Sequence, residues 1–298
     1  MIPRVLSCRI DRAKLGFRQA SRDMISAIKA HAYGNDFLFV EEHQVVDENQ
    51  SSLARAMCER HRGIGADGLI VFRRTARGAA MRLLNADGSR AEVSGNGVRC
   101  LAAILVGGHL LEEDETKNRA KGSPEGPEIV IETDSGPKTL VLLAEEDGRY
   151  TFRASMGTPQ QIRRLDLDVD GETVRVVALW MGNPQCVVLG SSLEEGEFRR
   201  LGPKLERHAA FPNRTNVEFA WVEAPDRIRI RIWERGVGPT ESSGTGACAA
   251  AVAAASFGGS ARSADIVSPG GTQLVEWRED GVYLTGWARV ILLGKWIA

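Results

Sequence analysis

Hydrophobic positions along the chain fall into two patterns, one typical of strands and one typical of buried helices. MISAIKAHAYGNDFLFV predicts a first strand, and short apolar or alternating runs predict further strands at LIVF, MRLL, EIVIET, KTLVLL, YTFRASM, VRVVALWM, CVVLG, VEFAWV and RIRIRIW. Two longer runs, CLAAILVGGHLL and ACAAAVAAASF, are too rich in Ala and Leu for strands and predict buried central helices. The sequence therefore predicts two units, each with many strands wrapped about one apolar helix.

The two predicted helices are preceded by the same local sequence at a matched distance. SGNG begins at Ser94 and SGTG begins at Ser243, and the helical run follows each of them directly. Gly-Asn pairs begin upstream at Gly34 and Gly182, so the first serine follows its pair by 60 residues and the second by 61. A spacing that matches at two separate points indicates two copies of one α/β unit, and the short period of a solenoid is absent.

These copies predict a mixed α/β fold of the α+β type with two pseudo-symmetric domains. Each domain is a mixed sheet or barrel wrapped around its central helix. We expect the first domain to span residues 24–155 and to be completed by a C-terminal strand at about 284–298, since VYLTGWARVILLG predicts a last strand. The second domain spans residues 156–283. The charged stretch 112–128 is interpreted as a surface loop within the first domain.

Residues 1–23 form a separate N-terminal extension that carries six basic residues against two acidic ones. An Arg-rich, acid-poor leader is typical of a transit peptide. The alternative, which we favour, is an extension ahead of a natural start at Met24, because the first predicted strand begins there.

Composition and charge narrow the class of protein. The 298 residues include 38 basic and 39 acidic side chains, so no nucleic-acid or membrane-surface partner is indicated. No apolar run has the roughly 18 residues that a membrane span requires. The five cysteines lack a framework spacing, which favours reduced thiols and a cytoplasmic location.

Each Ser-Gly-x-Gly can form a site for an anion at the start of its helix. Serine is a good N-cap, and glycine allows a ligand to approach the backbone closely. A helix N-terminus presents unpaired N–H groups and partial positive charge, which favour a carboxylate or a phosphate. Neither copy continues into the Lys-Ser/Thr of a phosphate-binding loop. Two such N-termini facing each other across a cleft suit inversion at a carbon, where one side removes a proton and the other returns one.

Seven segments carry a resemblance to a known family. They are GNDF (34–37), RGIGADG (62–68), NADGSRAEVSGNGVRC (85–100), MGNPQCVV (181–188), FPNRTNVEF (211–219), ERGVG (234–238) and SGTGACA (243–249). In this order the sequence resembles diaminopimelate epimerases, within the wider superfamily of proline racemases and phenazine-biosynthesis isomerases.

The resemblance implies an epimerase that converts LL-diaminopimelate to the meso form by two-base proton transfer, without cofactor or metal. This reaction supplies precursors of lysine and of the cell wall. The family's two catalytic residues lie at Ser94 and Ser243. The resemblance further implies a homodimer with a small-molecule amino-acid substrate. The substrate-binding positions that it implies are Asn35, Asn85, Gly95, Asn96, Asn183, Asn216, Glu234, Arg235, Gly244 and Thr245.

The sequence departs from the family pattern at the positions that carry the chemistry. Family members have cysteines at Ser94 and Ser243, and a serine hydroxyl is far less acidic than a thiol, so that serine usually needs an adjacent base. The family's histidine in GNPH is Gln185 here, and the glutamate expected after ERGVG is Pro239. Cys100 and Cys248 do not replace the missing thiols, because they lie about 8 to 9 Å into their helices. His31, His61 and His208 are interpreted as structural.

These departures leave two alternatives to the epimerase open. One is a related enzyme with a changed reaction, a dehydratase or double-bond isomerase acting on another small acid. The other is an inactive relative that binds an amino acid.

Overall fold

The computed structural model of the chain describes residues 24–46, 48–108, 122–123 and 126–297. The extension predicted at residues 1–23 lies outside the described residues, as does most of the loop predicted at 112–128. The end of that stretch is strand, because a strand begins at Gly126 and its pairing with the next strand begins at Glu128.

The first half of the chain contains nine strands and two α-helices in its described part. They are β1 (Ile25–Ala32), β2 (Asn35–Glu41), α1 (Gln50–Cys58), β3 (Gly68–Thr75), β4 (Gly78–Asn85), β5 (Arg90–Ala91), α2 (Gly95–Val106), β6 (Gly122–Ser123), β7 (Gly126–Thr133), β8 (Gly136–Glu146) and β9 (Arg149–Gly157). A short 3-10 helix, Glu42–Gln44, follows β2.

The second half repeats this order. Its elements are β10 (Gln160–Val169), β11 (Glu172–Trp180), β12 (Pro184–Leu189), α3 (Glu195–Glu206), β13 (Asn216–Ala224), β14 (Arg227–Glu234), β15 (Gly238–Thr240), α4 (Gly244–Ala253), β16 (Ser263–Ser268), β17 (Gly271–Arg278) and β18 (Gly281–Trp296). A π-helical turn, Ala254–Gly258, extends α4.

Every apolar run that predicted a strand or a helix forms one, with two corrections to the bounds. The predicted first strand is two strands, since Tyr33 and Gly34 adopt positive φ angles of 55° and 87° and turn the chain between β1 and β2. The first central helix ends at Val106, followed by a turn, and does not extend through the second half of CLAAILVGGHLL as far as the structure describes it.

Strand pairing confirms the internal repeat. In the first half β1–β2 is antiparallel, β2–β3 parallel, β3–β4 antiparallel, β4–β7 parallel and β7–β8 antiparallel. In the second half the pairs β11–β12, β12–β13, β13–β14, β14–β16 and β16–β17 follow the same alternation. The two halves therefore share one topology as well as one sequence spacing.

The long last strand joins the two halves. Residues 281–285 of β18 pair with β17 of the second half, and the strand also pairs with β9 and β1 of the first. Strands β1, β2, β3, β4, β7, β8, β9 and β18 thereby close into an eight-stranded barrel. The boundary predicted between residues 155 and 156 falls near the end of β9, and the division into domains stays a prediction.

Helices α2 and α4 lie inside these sheets and share one continuous hydrophobic core. The first ten residues of α2 and all ten of α4 are buried, as expected of a helix that is apolar on every side. Smaller cores form under α1 and under α3 on the outer faces. No helix within the described ranges has the length and apolar character of a membrane span.

Truncating a side chain on α2 tests this core. Leu101 is fully buried in it, so Leu101→Ala should lower the free energy of unfolding by about 2–5 kcal/mol. Leu292→Ala is the matched control, because Leu292 on β18 is 47% exposed, and a change within about 0.5 kcal/mol is expected. Urea unfolding followed by circular dichroism measures both. Equal losses in the two variants would contradict a central α2.

Candidate active site

The N-termini of α2 and α4 meet inside the protein. A Cβ placed on Gly244 would lie 2.7 Å from the Cα of Gly95, and a Cβ on Gly95 would lie 2.8 Å from the Cα of Gly244. No side chain fits between the two backbones, which explains glycine as the first residue of both helices. Two helix ends of partial positive charge thus point at one place, which favours an anion there.

Serine caps both helices with the same geometry. Ser94 and Ser243 have extended backbones, and the Oγ of each accepts a hydrogen bond of 3.1 Å, from the N–H of Gly97 and Gly246 respectively. The predicted N-caps are therefore present in both copies. The N–H groups of the first two residues of each helix have no intrahelical acceptor and remain for a ligand. These residues are Gly95 and Asn96 in α2 and Gly244 and Thr245 in α4.

A cleft of about 370 Å³ opens beside these helix ends. Seven of the predicted site residues line it: Ser94, Asn35, Asn85, Asn183, Asn216, Glu234 and Arg235. Apolar walls come from Phe37, Leu83, Ala91, Val93 and Val237. The structure thus brings together residues from both halves of the chain. The remaining predicted residues, Ser243, Gly95, Asn96, Gly244 and Thr245, are buried at the helix ends and do not line it.

The side chain of Asn96 is hydrogen-bonded to other residues of the protein. It is fully buried and donates to Asn35 Oδ1 at 2.9 Å and to the carbonyl of Ser242 at 3.2 Å, while its oxygen accepts from Arg99. Arg99 also donates to Gln273 at 2.6 Å. Asn96 can therefore serve a ligand through its backbone N–H, and its amide ties the start of α2 to the residue that precedes Ser243.

Asp67 is a residue of the cleft that sequence reasoning missed. It accepts from Asn35 Nδ2 at 2.7 Å and from Arg60 at 2.7 Å. Burial, with the neighbouring charge of Asp36 second, raises the pKa of the Asp67 carboxyl above its ordinary value. Its place in RGIGADG, at the end of a glycine-rich segment directly before β3, is the signal that could have identified it.

Glu234 presents an unpaired acceptor to the site. Its Oε2 atom is buried and has no hydrogen-bond partner within the described chain. Burial, and secondly the charge of Asp67, raise the pKa of Glu234 to about 8. An orphaned carboxylate oxygen in a cleft fits a cationic group such as an ammonium, which would restore its ionised form.

Arg235 does not pair with the adjacent Glu234. Its guanidinium contacts both carboxylate oxygens of Glu92 and the carbonyl of Asn213, and its backbone N–H donates to Asn216 Oδ1 at 2.9 Å. Glu92 is thus a second residue that the motifs did not reveal. It fixes the guanidinium in one orientation at the edge of the cleft, where the remaining N–H groups can hold a carboxylate.

The second half holds a third missed residue, Glu218, on β13. It is fully buried, and burial followed by the charge of Glu234 raises its pKa well above the ordinary value. Its carboxyl faces the amide of Gln185 on the neighbouring strand. A charged residue at an inward position of the apolar run VEFAWV was the signal in the sequence.

The cysteines of α2 and α4 lie in the core away from the cleft. Cys100 and Cys248 are fully buried, and burial raises the pKa of both thiols, that of Cys248 to about 12. Neither lines the cleft, and nor do His31, His61 or His208. His31 packs edge-on against Trp287, and His208 accepts from the N–H of Ala210.

The described residues contain no group of three or more His, Cys, Asp or Glu side chains that could hold a metal ion. What the site offers is a pair of capped helix ends for an anion, an orphaned carboxylate for a cation, and amides between them. Such an arrangement can bind an amino acid, and each of the two helices contributes a serine hydroxyl at its cap.

Comparisons with known proteins agree with this arrangement. The family model for diaminopimelate epimerase matches residues 27–160 and 177–291. The chain is 39% identical over 287 residues to the diaminopimelate epimerase of Desulforudis audaxviator, covering 90% of this chain and 98% of that protein. It is 38% identical over 285 residues to the diaminopimelate epimerase of Desulfitobacterium hafniense, covering 90% and 96%.

Solved structures show the same fold at lower sequence identity. A hydroxyproline epimerase from Agrobacterium vitis superposes with a TM-score of 0.68 at 18% identity, covering 91% of this chain and 92% of that one. A phenazine biosynthesis protein from Bacillus anthracis gives 0.65 at 14% identity, covering 92% and 99%. The mixed α+β fold predicted from the sequence is confirmed.

A methyl group at the helix junction should force the two N-termini apart. In Gly244→Ala the new Cβ would meet the backbone of Gly95 at 2.7 and 2.9 Å, so a loss of about 1–3 kcal/mol in unfolding free energy is expected. Gly196→Ala on α3 is the control, since nothing lies within 4 Å there, and it should gain about 0.5–1 kcal/mol. Urea unfolding compares the two. A stable Gly244→Ala protein would contradict the close approach.

Glu234 should make stability depend on pH. Its pKa is about 8 in the folded chain against 4.5 ordinarily, so the folded state holds an extra proton between these values. Stability should therefore fall as pH rises from about 4.5 to 8, by at most about 1.4 kcal/mol per pH unit from this group. Thermal unfolding across this range should show a shallower slope in Glu234→Gln.

The control for that slope is Glu223→Gln. Glu223 is bound by Arg229 and Arg227, whose hydrogen bonds hold its pKa below the ordinary value, so it exchanges no proton on unfolding in this window. Its substitution should leave the slope unchanged. If Glu234→Gln also leaves it unchanged, the Glu234 carboxyl is ionised at neutral pH.

Proposed function

The chain belongs to the diaminopimelate epimerase family, and on this premise we propose that it is an isomerase that interconverts LL- and meso-diaminopimelate. The observation that carries the proposal is the meeting of the two serine-capped helix ends at Gly95 and Gly244. Inversion at a carbon needs one proton-transfer group on each face of that carbon, and this junction offers one serine from each half of the chain.

The α-carboxylate of the substrate binds the free N–H groups at the helix ends, those of Gly95, Asn96, Gly244 and Thr245. When the α-proton leaves, negative charge spreads onto the carboxylate oxygens, where these N–H groups and both helix dipoles stabilise it. The C–H electron pair becomes the enolate, and a proton delivered to the opposite face restores the carbon with inverted configuration. No cofactor takes part in this scheme.

Ser94 and Ser243 are the proposed acid/base pair. The hydroxyl proton of each is available, because the Oγ only accepts in the capping bond. A hydroxyl is a poor base until its own proton is drawn away, so the rate should be well below that of a thiol pair in the same place.

The distal end of the substrate carries an ammonium and a second carboxylate. Glu234 with its orphaned oxygen suits the ammonium, and Arg235, oriented by Glu92, suits the carboxylate. The amides of Asn35, Asn85, Asn183 and Asn216 line the same cleft. A substrate with one charged end would leave this second set of groups unused.

Two further properties belong to the proposal. We expect a homodimer, as the family resemblance implies, and a cytoplasmic location in which the cysteines stay reduced. The described cysteines are free thiols, all of them buried. The reaction would serve the biosynthesis of lysine and of cell-wall precursors.

Proton NMR of LL-diaminopimelate in deuterated buffer tests the reaction. The native protein should cause loss of the α-proton signal and formation of the meso isomer. The double variant Ser94→Cys/Ser243→Cys should do so about 10²–10⁴ times faster, the span that general acid–base catalysis contributes. Ser94→Ala and Ser243→Ala should abolish inversion, with Ser191→Ala, an exposed serine on the surface, as the control.

Alkylation with iodoacetamide separates this chain's activity from traces of a thiol enzyme of the expression host. Native activity should survive alkylation, since Ser94 and Ser243 cannot react, while the double cysteine variant should be inactivated. Native protein that neither exchanges nor inverts the substrate refutes the proposal. In that case exchange in the cysteine variant would show a site that still fits diaminopimelate, and silence in both would show a different ligand.

A further inference from the structure

Glu218 places a carboxyl group in the interior directly behind the N-terminus of α4. The side chain is fully buried, on a strand that pairs with β12 on one side and β14 on the other. Its Oε1 lies 2.6 Å from the point where a Cβ on Gly246 would stand, and the Cβ of Ser243 lies 3.1 Å from the same point. The proposed substrate contacts make no use of this carboxyl.

The amide of Gln185 faces this carboxyl, with one of its two polar atoms 3.0 and 3.2 Å from the Glu218 oxygens. A neutral carboxyl can donate to an amide oxygen, whereas an ionised carboxylate can only accept. The proton on Glu218 therefore decides which end of the Gln185 amide turns towards it.

With a proton on Glu218, the Gln185 oxygen accepts from it and Gln185 Nε2 donates to Asn183 Oδ1 at 2.5 Å. Asn183 Nδ2 then donates to Thr245 Oγ1 at 3.4 Å. In this arrangement the hydroxyl of Thr245 accepts from the protein, and its own proton remains for a ligand at the helix junction.

Without that proton the amide must turn. Gln185 Nε2 then donates to the Glu218 carboxylate, and the Gln185 oxygen accepts from Asn216 Nδ2 at 3.3 Å and from Thr245 Oγ1 at 3.2 Å. Asn183 must turn as well, because its oxygen would otherwise face the oxygen of Gln185. Thr245 now donates its hydroxyl proton to the Gln185 oxygen, so this hydroxyl can no longer donate to a ligand at the helix junction.

We propose that the proton on Glu218 is a switch that sets the Gln185 amide and, through it, the supply of the Thr245 hydroxyl to a ligand carboxylate. Glu218 is thus a positioning residue that acts through Gln185. Burial and then the charge of Glu234 raise the pKa of Glu218, which favours the protonated, ligand-ready state.

Other titratable groups surround Glu218 on each packed element. Glu234 lies on β14, Cys186 on β12, and Cys248 is the titratable side chain of α4. Burial raises the pKa of both thiols, to about 12 for Cys248, so neither ionises near neutrality. Glu234 does titrate nearby, and the comparison of native protein with a Glu218 variant removes its contribution, which both share.

The switch rests on the contacts alone, while its effect on a ligand rests on the proposed function. The first measurement therefore uses the full chain without ligand. Side-chain ¹⁵N resonances of Gln185, assigned with Gln185→Met, should shift with pH as the Glu218 carboxyl ¹³C signal titrates. In Glu218→Gln, whose amide N–H can donate like the protonated acid, this shift should be absent, and only the change that follows the titration of Glu234 should remain.

Glu206→Gln is the matched control. Glu206 is also buried in the second half, but it pairs with Arg214 and accepts from the N–H of Gly236. Its substitution should leave the titration of Gln185 intact. Gln185 resonances that are constant with pH in the native protein would overturn the switch, as would an unchanged titration in Glu218→Gln.

The second measurement is diaminopimelate affinity by calorimetry across the same pH range. Above the midpoint of the Glu218 titration, native affinity should fall by up to about tenfold per pH unit more than that of Glu218→Gln. Equal pH profiles would overturn the effect on the ligand. A normal Gln185 titration with no diaminopimelate binding at any pH would support the switch and refute the proposed function.

Discussion

Two helix N-termini in direct backbone contact are the constraint on which the rest of this structure depends. Each end carries partial positive charge of about half a unit, and the two are buried together with no side chain between them. Two helix ends of the same partial charge repel each other, so the surrounding barrel and sheet must hold them together. The amide of Asn96, bonded to Asn35 and to the residue before Ser243, ties the two halves at this point. An anion bound at the junction would reduce this repulsion, so ligand binding should also stabilise the fold.

The internal repeat places different side chains at equivalent positions of the two halves, which suits a ligand whose two ends differ. Equivalent positions carry Asn35 at the start of β2 and Asn183 directly before β12, and Ser94 and Ser243 at the helix caps. Asn85 ends β4 where Glu234 ends β14, and Gly68 begins β3 where Asn216 begins β13. At Asn85 and Glu234 an amide in one half corresponds to a carboxyl in the other. The fold is nearly two-fold symmetric, whereas its charges are not, and a molecule with two different ends can be oriented in it.

Much of this could be predicted from the sequence, because its signals are local. The strands follow from apolar runs, the central helices from Ala- and Leu-rich runs after Ser-Gly-x-Gly, and the repeat from the matched spacing of Gly34 and Gly182 to their serines. The turn at Tyr33 and Gly34 was missed because tyrosine rarely adopts a positive φ, although Gly34 and Asn35 are residues typical of turns. Asp67, Glu92 and Glu218 were missed because their importance lies in contacts with distant residues, Asn35, Arg235 and Gln185, which spacing along the chain does not encode.

With serines in place of thiols, one step of the proposed reaction becomes difficult. In the proposed function, recognition does not depend on thiols, since the helix ends, Glu234 and Arg235 are the proposed binding groups. The proposed stabilisation of the enolate does not depend on them either, because its charge falls on the helix-end N–H groups. What remains is removal of the α-proton, for which a serine hydroxyl needs a base beside it. Burial raises the pKa of both Glu218 and Glu234, which favours the protonated form of these carboxyls, and a protonated carboxyl can donate a proton but cannot accept one. In the proposed reaction the ammonium that ionises Glu234 also occupies it, so the step in which a serine acts as the base limits the rate.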